Sequence, residues 1–211
     1  MAAPGWALAA SATDAEAASG IRAALERGAA AAVAQLGKND GFLGNPAVRI
    51  NLPKHLNDAA RLLRAMGQGR QVDELITAMN RAAEAAVPQA KALFVSTARD
   101  ISVQDAWKVV RGGPTSVTDY FAEKTRSPLS QKFLPVVTKA TEKVQLADRY
   151  NAVAGKAVGL GLVKGEDANI QQYVTARALD GLFLMVGEEE KKIRADPIGT
   201  GSAILRKVFG G

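Results

Sequence analysis

"ALDGLFLMVGEEEKKIRADP", residues 178–197, passes from an apolar segment into a block of charge. Its reading decides the fold. As a membrane anchor it fails: "GLFLMVG" (181–187) is seven residues long and runs into Glu188, Glu189 and Glu190, whereas a spanning helix needs roughly 20 apolar residues. As an amphipathic helix it succeeds. Leu179, Leu182, Phe183, Val186, Glu190 and Ile193 fall on one stripe at helical spacing. Lys191, Lys192 and Arg194 sit where cations complement the end of a helix dipole, and Glu188 precedes Lys192 by four, the favourable order for a pair. Glu190 is the anomaly, because it continues the apolar seam. A carboxylate carried inward needs a partner, and Arg64, Arg81 and Lys139 are candidates. The plain alternative is a structural ion pair, or a helix end already in water.

The rest of the chain repeats this helical pattern. Its 211 residues are 47% hydrophobic but only 5% aromatic, with long alanine runs. Alanine is the best helix former and lets helices approach closely. Asp14 to Leu36 reads as a helix with Ala18, Ile21, Leu25, Gly28, Ala32 and Leu36 on one face, Gly28 marking a close approach. Residues 37–53, "GKNDGFLGNPAVRINLP", are dense in turn signals and read as a long irregular loop draped over the helices, with Phe42 and Leu43 plugged in. The alternation of Val48, Ile50 and Leu52 allows a short extended piece.

Helices follow at about 54–66 and 70–98, the second kinked near 84–88 by Pro88. "SVQD" (102–105) resembles a capping box and opens a helix to about Arg111. "TSVTDYFAEKT" (115–125) reads as one short helix. "SP" (127–128) starts another, with Pro135 as a second kink. Residues 146–158 read as a helix, and "GLGLVKGEDA" (159–168) as a loop. Asn169 caps the helix that contains the opening stretch, and Ser202–Phe209 forms a last turn or two. The expectation is an all-α fold: one compact bundle of about eight helices, some kinked at proline, over residues 13–211.

Several chemistries are excluded. The chain has no cysteine and one histidine, His55, so thiolate catalysis, cysteine zinc sites and multi-histidine metal sites are out. No nucleophile elbow, zinc-protease, phosphate-loop or calcium-loop signature occurs. The net charge is +6, but lysines and arginines are interspersed with acids and not with aromatics, which argues against nucleic acid. No cofactor or metal is expected. Residues 1–12, "MAAPGWALAASA", end in a small-x-small pattern that suits signal-peptidase cleavage after Ala12. They read as a signal-peptide remnant or a disordered tail, with an exported, periplasmic protein as the expectation.

Two polar clusters stand out as binding candidates. In "MNRAAEAAVPQAK" (79–91), Asn80, Glu84 and Lys91 share a face beside the apolar stripe, and Pro88 disturbs the helix between them. Glu190 marks the other. The phrases "AVAQLGKNDGFLGNPAVRINLP" (32–53), "MNRAAEAAVPQAK", "YFAEKT" (120–125) with "FLPVV" (133–137), and "YVTARALDGLFLMVGEEEKKIRADP" (173–197) together resemble the family known as domain of unknown function 4197, over about residues 18–209. The resemblance implies an exported, mostly helical bacterial protein. It brings no activity, cofactor or catalytic residues. It directs attention to Gly41, Phe42, Asn45, Pro46, Asn80, Arg81, Glu84, Asp180 and Glu190.

Three functional readings compete. The first is a non-enzymatic binding protein for an apolar or lipid-like ligand, with a Leu/Phe/Met-lined cavity beside Pro88. The second is an oligomeric envelope scaffold with an exposed apolar patch. The third is a carboxylate enzyme, with or without a hard metal, which requires at least two of Glu84, Asp180 and Glu190 to converge in a cleft.

Overall fold

The chain's alanine-rich amphipathic stripes become helices in the computed structural model, which describes residues 14–142, 147–148, 150–151 and 169–196. Seven α-helices have both ends among the described residues, and Ala147, Asp148, Tyr150 and Asn151 are helical as well. The seven are α1 (Asp14–Leu36), α2 (Asn57–Ala65), α3 (Gly69–Ala86), α4 (Ala90–Arg99), α5 (Val103–Val110), α6 (Ser116–Thr141) and α7 (Ile170–Ala195). Short 3-10 turns, Lys54–Leu56 and Val87–Gln89, precede α2 and join α3 to α4. No strand occurs among the described residues. The expected helix at 146–158, the loop at 159–168 and the segments before Asp14 and after Asp196 fall wholly or mostly outside them.

Helix α7 is the axis of the assembly. It packs against α6, α1 and α3, while α1 also covers α4 and α5. The stripe read from the opening stretch faces inward, with Leu179, Leu182, Phe183, Val186 and Ile193 all buried. A cluster of rings ties three helices together: Phe94 of α4 lies 5.5 Å from Phe121 of α6 and 6.0 Å from Phe183 of α7. Each buried phenylalanine contributes roughly 1.5–3 kcal/mol relative to exposure. Gly28 does face α7, but a methyl there would lie 3.6 Å from Glu189 Cβ, an ordinary contact, so alanine would fit.

The helix boundaries follow local chemistry where capping is explicit. Asn169 accepts from Gln172 N at 2.7 Å and starts α7. Ser102, just before α5, accepts from Asp105 N and donates its hydroxyl to the Asp105 carboxylate in the first turn. Pro88 breaks the expected 70–98 helix into α3 and α4 at the 3-10 turn.

Pro128 and Pro135 do not act as expected. The two short helices anticipated at 115–125 and from 127 onward are one continuous 26-residue helix, α6, containing both prolines. Phe121, Thr125, Leu129, Phe133, Val137 and Thr141, spaced by four, are all buried along one seam. A break would take half of that seam off the core. The prolines remove donors to the carbonyls of Lys124 and Gln131, which are exposed residues, and water can satisfy those carbonyls.

Candidate functional site

Residues 37–53 cross the bundle as turns and irregular chain, and two side chains of α3 hold them there. Asn80 is fully buried. Its Oδ1 accepts from Ile50 N at 2.8 Å, and its Nδ2 donates to Ile50 O and Ile76 O at 2.8 Å each. Glu84, one turn on, accepts from Phe42 N at 3.0 Å and Leu43 N at 3.1 Å on Oε1. Arg81 donates to its Oε2 at 2.7 Å and reaches Asp40 at 2.8 Å. The two acids raise the Arg81 pKa above its ordinary value, Glu84 more than Asp40. Asn80, Arg81 and Glu84 thus work together, as clamps on backbone that has no ladder of its own.

The clamped loop needs small residues where it meets the helices. A side chain at Gly41 would run into the carbonyl oxygens of Leu36 and Gln35. Phe42 is buried with its ring over Gly181 of α7, where an added Cβ would lie 2.8 Å from Phe42 Cε1 and 3.2 Å from Val48 Cβ. Lys91 does not join Asn80 and Glu84 on one face. It is exposed beyond the Pro88 break, in a cleft that includes Glu26 and Arg99.

Glu190 does reach inward, but Arg64, Arg81 and Lys139 are not its partners. It accepts from Val117 N at 3.1 Å, and from Thr118 N at 2.8 Å and Thr118 Oγ1 at 2.7 Å. The residue at the N-cap position of α6, Thr115, makes no capping bond with its side chain. Glu190 therefore caps α6 from a different helix, with a negative charge at the positive end of the dipole. Arg194, one turn further along α7, donates to Glu190 at 2.9 Å and to Val109 O and Ser116 Oγ at 3.0 Å each. That also ties down the end of α5. The flanking charges pair at a spacing of three and not four: Glu188 with Lys191, and Glu189 with Lys192.

Asp180 belongs to neither cluster. It bridges Arg126 of α6 and Arg177 of α7. Glu84, Asp180 and Glu190 each have arginine partners of their own and share no hydrogen-bond partner.

The clamped loop forms one wall of a groove of about 1080 Å³, completed by α2, α3 and α7. This lies just above the usual range of small-molecule sites, about 300–1,000 Å³, as suits a groove open on one side. Buried Val48, Ile50 and Val72, with half-buried Leu52 and Ile76, make an apolar floor. Arg49, Lys54, Arg61 and Arg64 stand exposed at the rim. Arg177 lies beside them, its guanidinium 5.6 Å from the Tyr173 ring centre. Tyr173 in turn donates to Asn51 O at 3.0 Å, fixing the far end of the loop. Asp73 pairs with Arg64 at 2.6 Å, which raises the arginine pKa and lowers that of the acid. The groove lies away from Pro88, where the cavity was anticipated; the Pro88 ring sits against Gly37.

Sequence reasoning named Asp180, and Arg64 only as a partner for Glu190, but missed Arg49, Lys54, Arg61 and Arg177 of the lining. One signal was available. Asn57, Ala60, Arg61 and Arg64 recur at helical spacing on one face of α2. That face is the one turned to the groove.

The fold and its clamps define a class: an all-helical bundle in which buried polar side chains organise backbone, with an open groove beside them. The chain belongs to a family described as "Protein of unknown function (DUF4197)", whose pattern matches residues 11–210. No curated protein and no solved structure matches it. No described helix is long and apolar enough to cross a membrane.

Proposed function

We propose that this protein is a non-enzymatic binding protein of the cell envelope, and that a small, partly apolar ligand occupies the groove between the 47–54 segment, α2 and α7. The observation that carries this reading is the groove itself, with an apolar floor and a volume just above the usual range of ligand sites. The polar residues that first drew attention support it indirectly. Asn80 and Glu84 hold the loop that builds one wall, and Glu190 holds α6. Acids already engaged by backbone amides and arginine are poorly suited to acid–base work, where a carboxylate must reach a substrate proton.

The test is fluorescence titration with Nile red, a neutral apolar dye, against the wild type and Ala60→Trp. Ala60 is a half-buried groove residue on α2, so the indole fills the space. The reading predicts saturable binding that Ala60→Trp abolishes while the far-ultraviolet circular dichroism stays helical. Equal binding by both proteins would contradict it. Export rests on "ASA" (10–12) and on the family resemblance. Mass spectrometry of the chain from a periplasmic extract should find Thr13 at the N-terminus, and an intact Met1 confined to cytosol would count against export.

The second reading, an oligomeric scaffold, has one observation in its favour. Leu62 and Met66, a turn apart after the start of α2, are each 62% exposed. Sedimentation at several concentrations tests it: a strict monomer removes it.

A further inference from the structure

The groove's charge is one-sided. Its lining carries five cationic side chains, Arg49, Lys54, Arg61, Arg64 and Arg177, against one acid, Asp180. That acid is already bridged by two arginines, Arg126 and Arg177. Asp73, the acid paired with Arg64, is not among the lining residues. Arg49, Arg64 and Arg177 also have partners within the chain, Leu43 O, Asp73 and Asp180, yet the lining keeps an excess of positive charge, which attracts an anion and repels a cation.

Arg177 adds a second observation. One of its terminal nitrogens forms an ion pair with Asp180 at 3.1 Å, and its guanidinium lies near the Tyr173 ring, while its Nε–H is buried and has no hydrogen-bond acceptor. A buried N–H without an acceptor is costly. The Arg177 side chain as a whole is 40% exposed, and it is this open part of the guanidinium that is suited to carboxylate or phosphate oxygens. Beneath the cations lies the floor of Ile50, Leu52, Val72 and Ile76, which offers no charge or hydroxyl to a ligand's other end.

We propose that the groove takes a free single-chain amphiphilic anion, its carboxylate or phosphate head among Lys54, Arg61 and Arg177 and its hydrocarbon chain along the floor. This rests on the binding reading above and specifies its ligand class. Charge-assisted hydrogen bonds from the rim are worth enough for a preference of roughly tenfold over a neutral head of the same chain length. That preference shrinks as salt is added, because the rim is open to solvent.

The experiment is displacement of Nile red from the full chain by dodecanoate, dodecyl phosphate, dodecanol and dodecyltrimethylammonium, each below its micelle-forming concentration. It is repeated with Lys54→Gln/Arg61→Gln, both exposed positions. The proposal predicts that both anions displace the dye at roughly one tenth of the dodecanol concentration. It predicts that sodium chloride erodes the gap, and that the double variant narrows it while dodecanol is unaffected. Dodecanol matching dodecanoate, or the ammonium compound surpassing it, would overturn the anion assignment and leave the groove reading standing. Failure of all four to displace the dye, or of the dye to bind, would overturn both. If one anion alone shows the advantage, the head group is assigned to that chemistry and the class stands.

Discussion

Replacing Asn80 with alanine isolates the clamp on the loop. Asn80 is fully buried, and Ile50 is 2% exposed. The substitution removes the only hydrogen bonds that the Ile50 N–H and C=O make among the described residues, both 2.8 Å long. Ile76 O loses less, because it also serves as a helix acceptor within α3. Two buried backbone groups left without partners cost about 1–3 kcal/mol each, so Asn80→Ala should destabilise by about 2–4 kcal/mol, allowing for a water entering the space. With a urea slope of about 2 kcal/mol per molar, the midpoint falls by about 1–2 M with little change in slope.

Asn80→Asp sharpens the test. It keeps the size and one acceptor, but turns a carboxylate oxygen toward two carbonyls. The buried acid's pKa is then raised, so the proton is bound more tightly in the folded state. The variant's deficit should be largest at neutral pH and shrink as pH falls through that raised value toward about 4. Urea melts followed by circular dichroism at several pH values measure both effects. A loss under about 1 kcal/mol in Asn80→Ala, or a pH-independent deficit in Asn80→Asp, would refute the clamp.

Three further predictions follow from the same packing. Glu190→Ala leaves two α6 amides and Arg194 without their acid and should cost about 3–5 kcal/mol, with faster hydrogen exchange at Val117 and Thr118 as its local signature. Gly181→Ala sets the strain of pushing Phe42 and Val48 aside, about 1–3 kcal/mol, against a helix-propensity gain of about 1 kcal/mol. Its thermal midpoint should fall, and a rise would mean that the loop yields freely. Burial, and then the nearby Asp105, raise the Tyr120 pKa above the ordinary phenol value. The difference in phenolate absorbance between wild type and Tyr120→Phe should therefore show a group titrating above pH 10, and any stability it contributes is lost as pH rises through that range.

Much of this architecture was legible in the residues. The seams of α1 and α7, the Asn169 cap, the Ser102–Asp105 box and the break at Pro88 are local features with local causes. Helix α6 was not, because the rule that proline ends a helix is local, whereas the buried stripe from Phe121 to Thr141 is a property of the whole assembly. Glu190 could be singled out as a carboxylate in an apolar seam. Its partners could not, since they are backbone amides on another helix and amides leave no mark in a sequence. The groove was the least visible feature. Its cations lie between residues 49 and 177, and only the clamped loop brings them to one rim.

The central claim is that ligand is held in the groove and that Glu84 and Glu190 serve the fold. Peptide-resolved hydrogen exchange with and without dodecanoate tests it most directly. The account predicts slowed exchange in peptides covering 47–64 and 173–184, and no change at 117–118, where the Glu190 cap lies. Protection centred on the start of α6, with 47–64 unaffected, would contradict it.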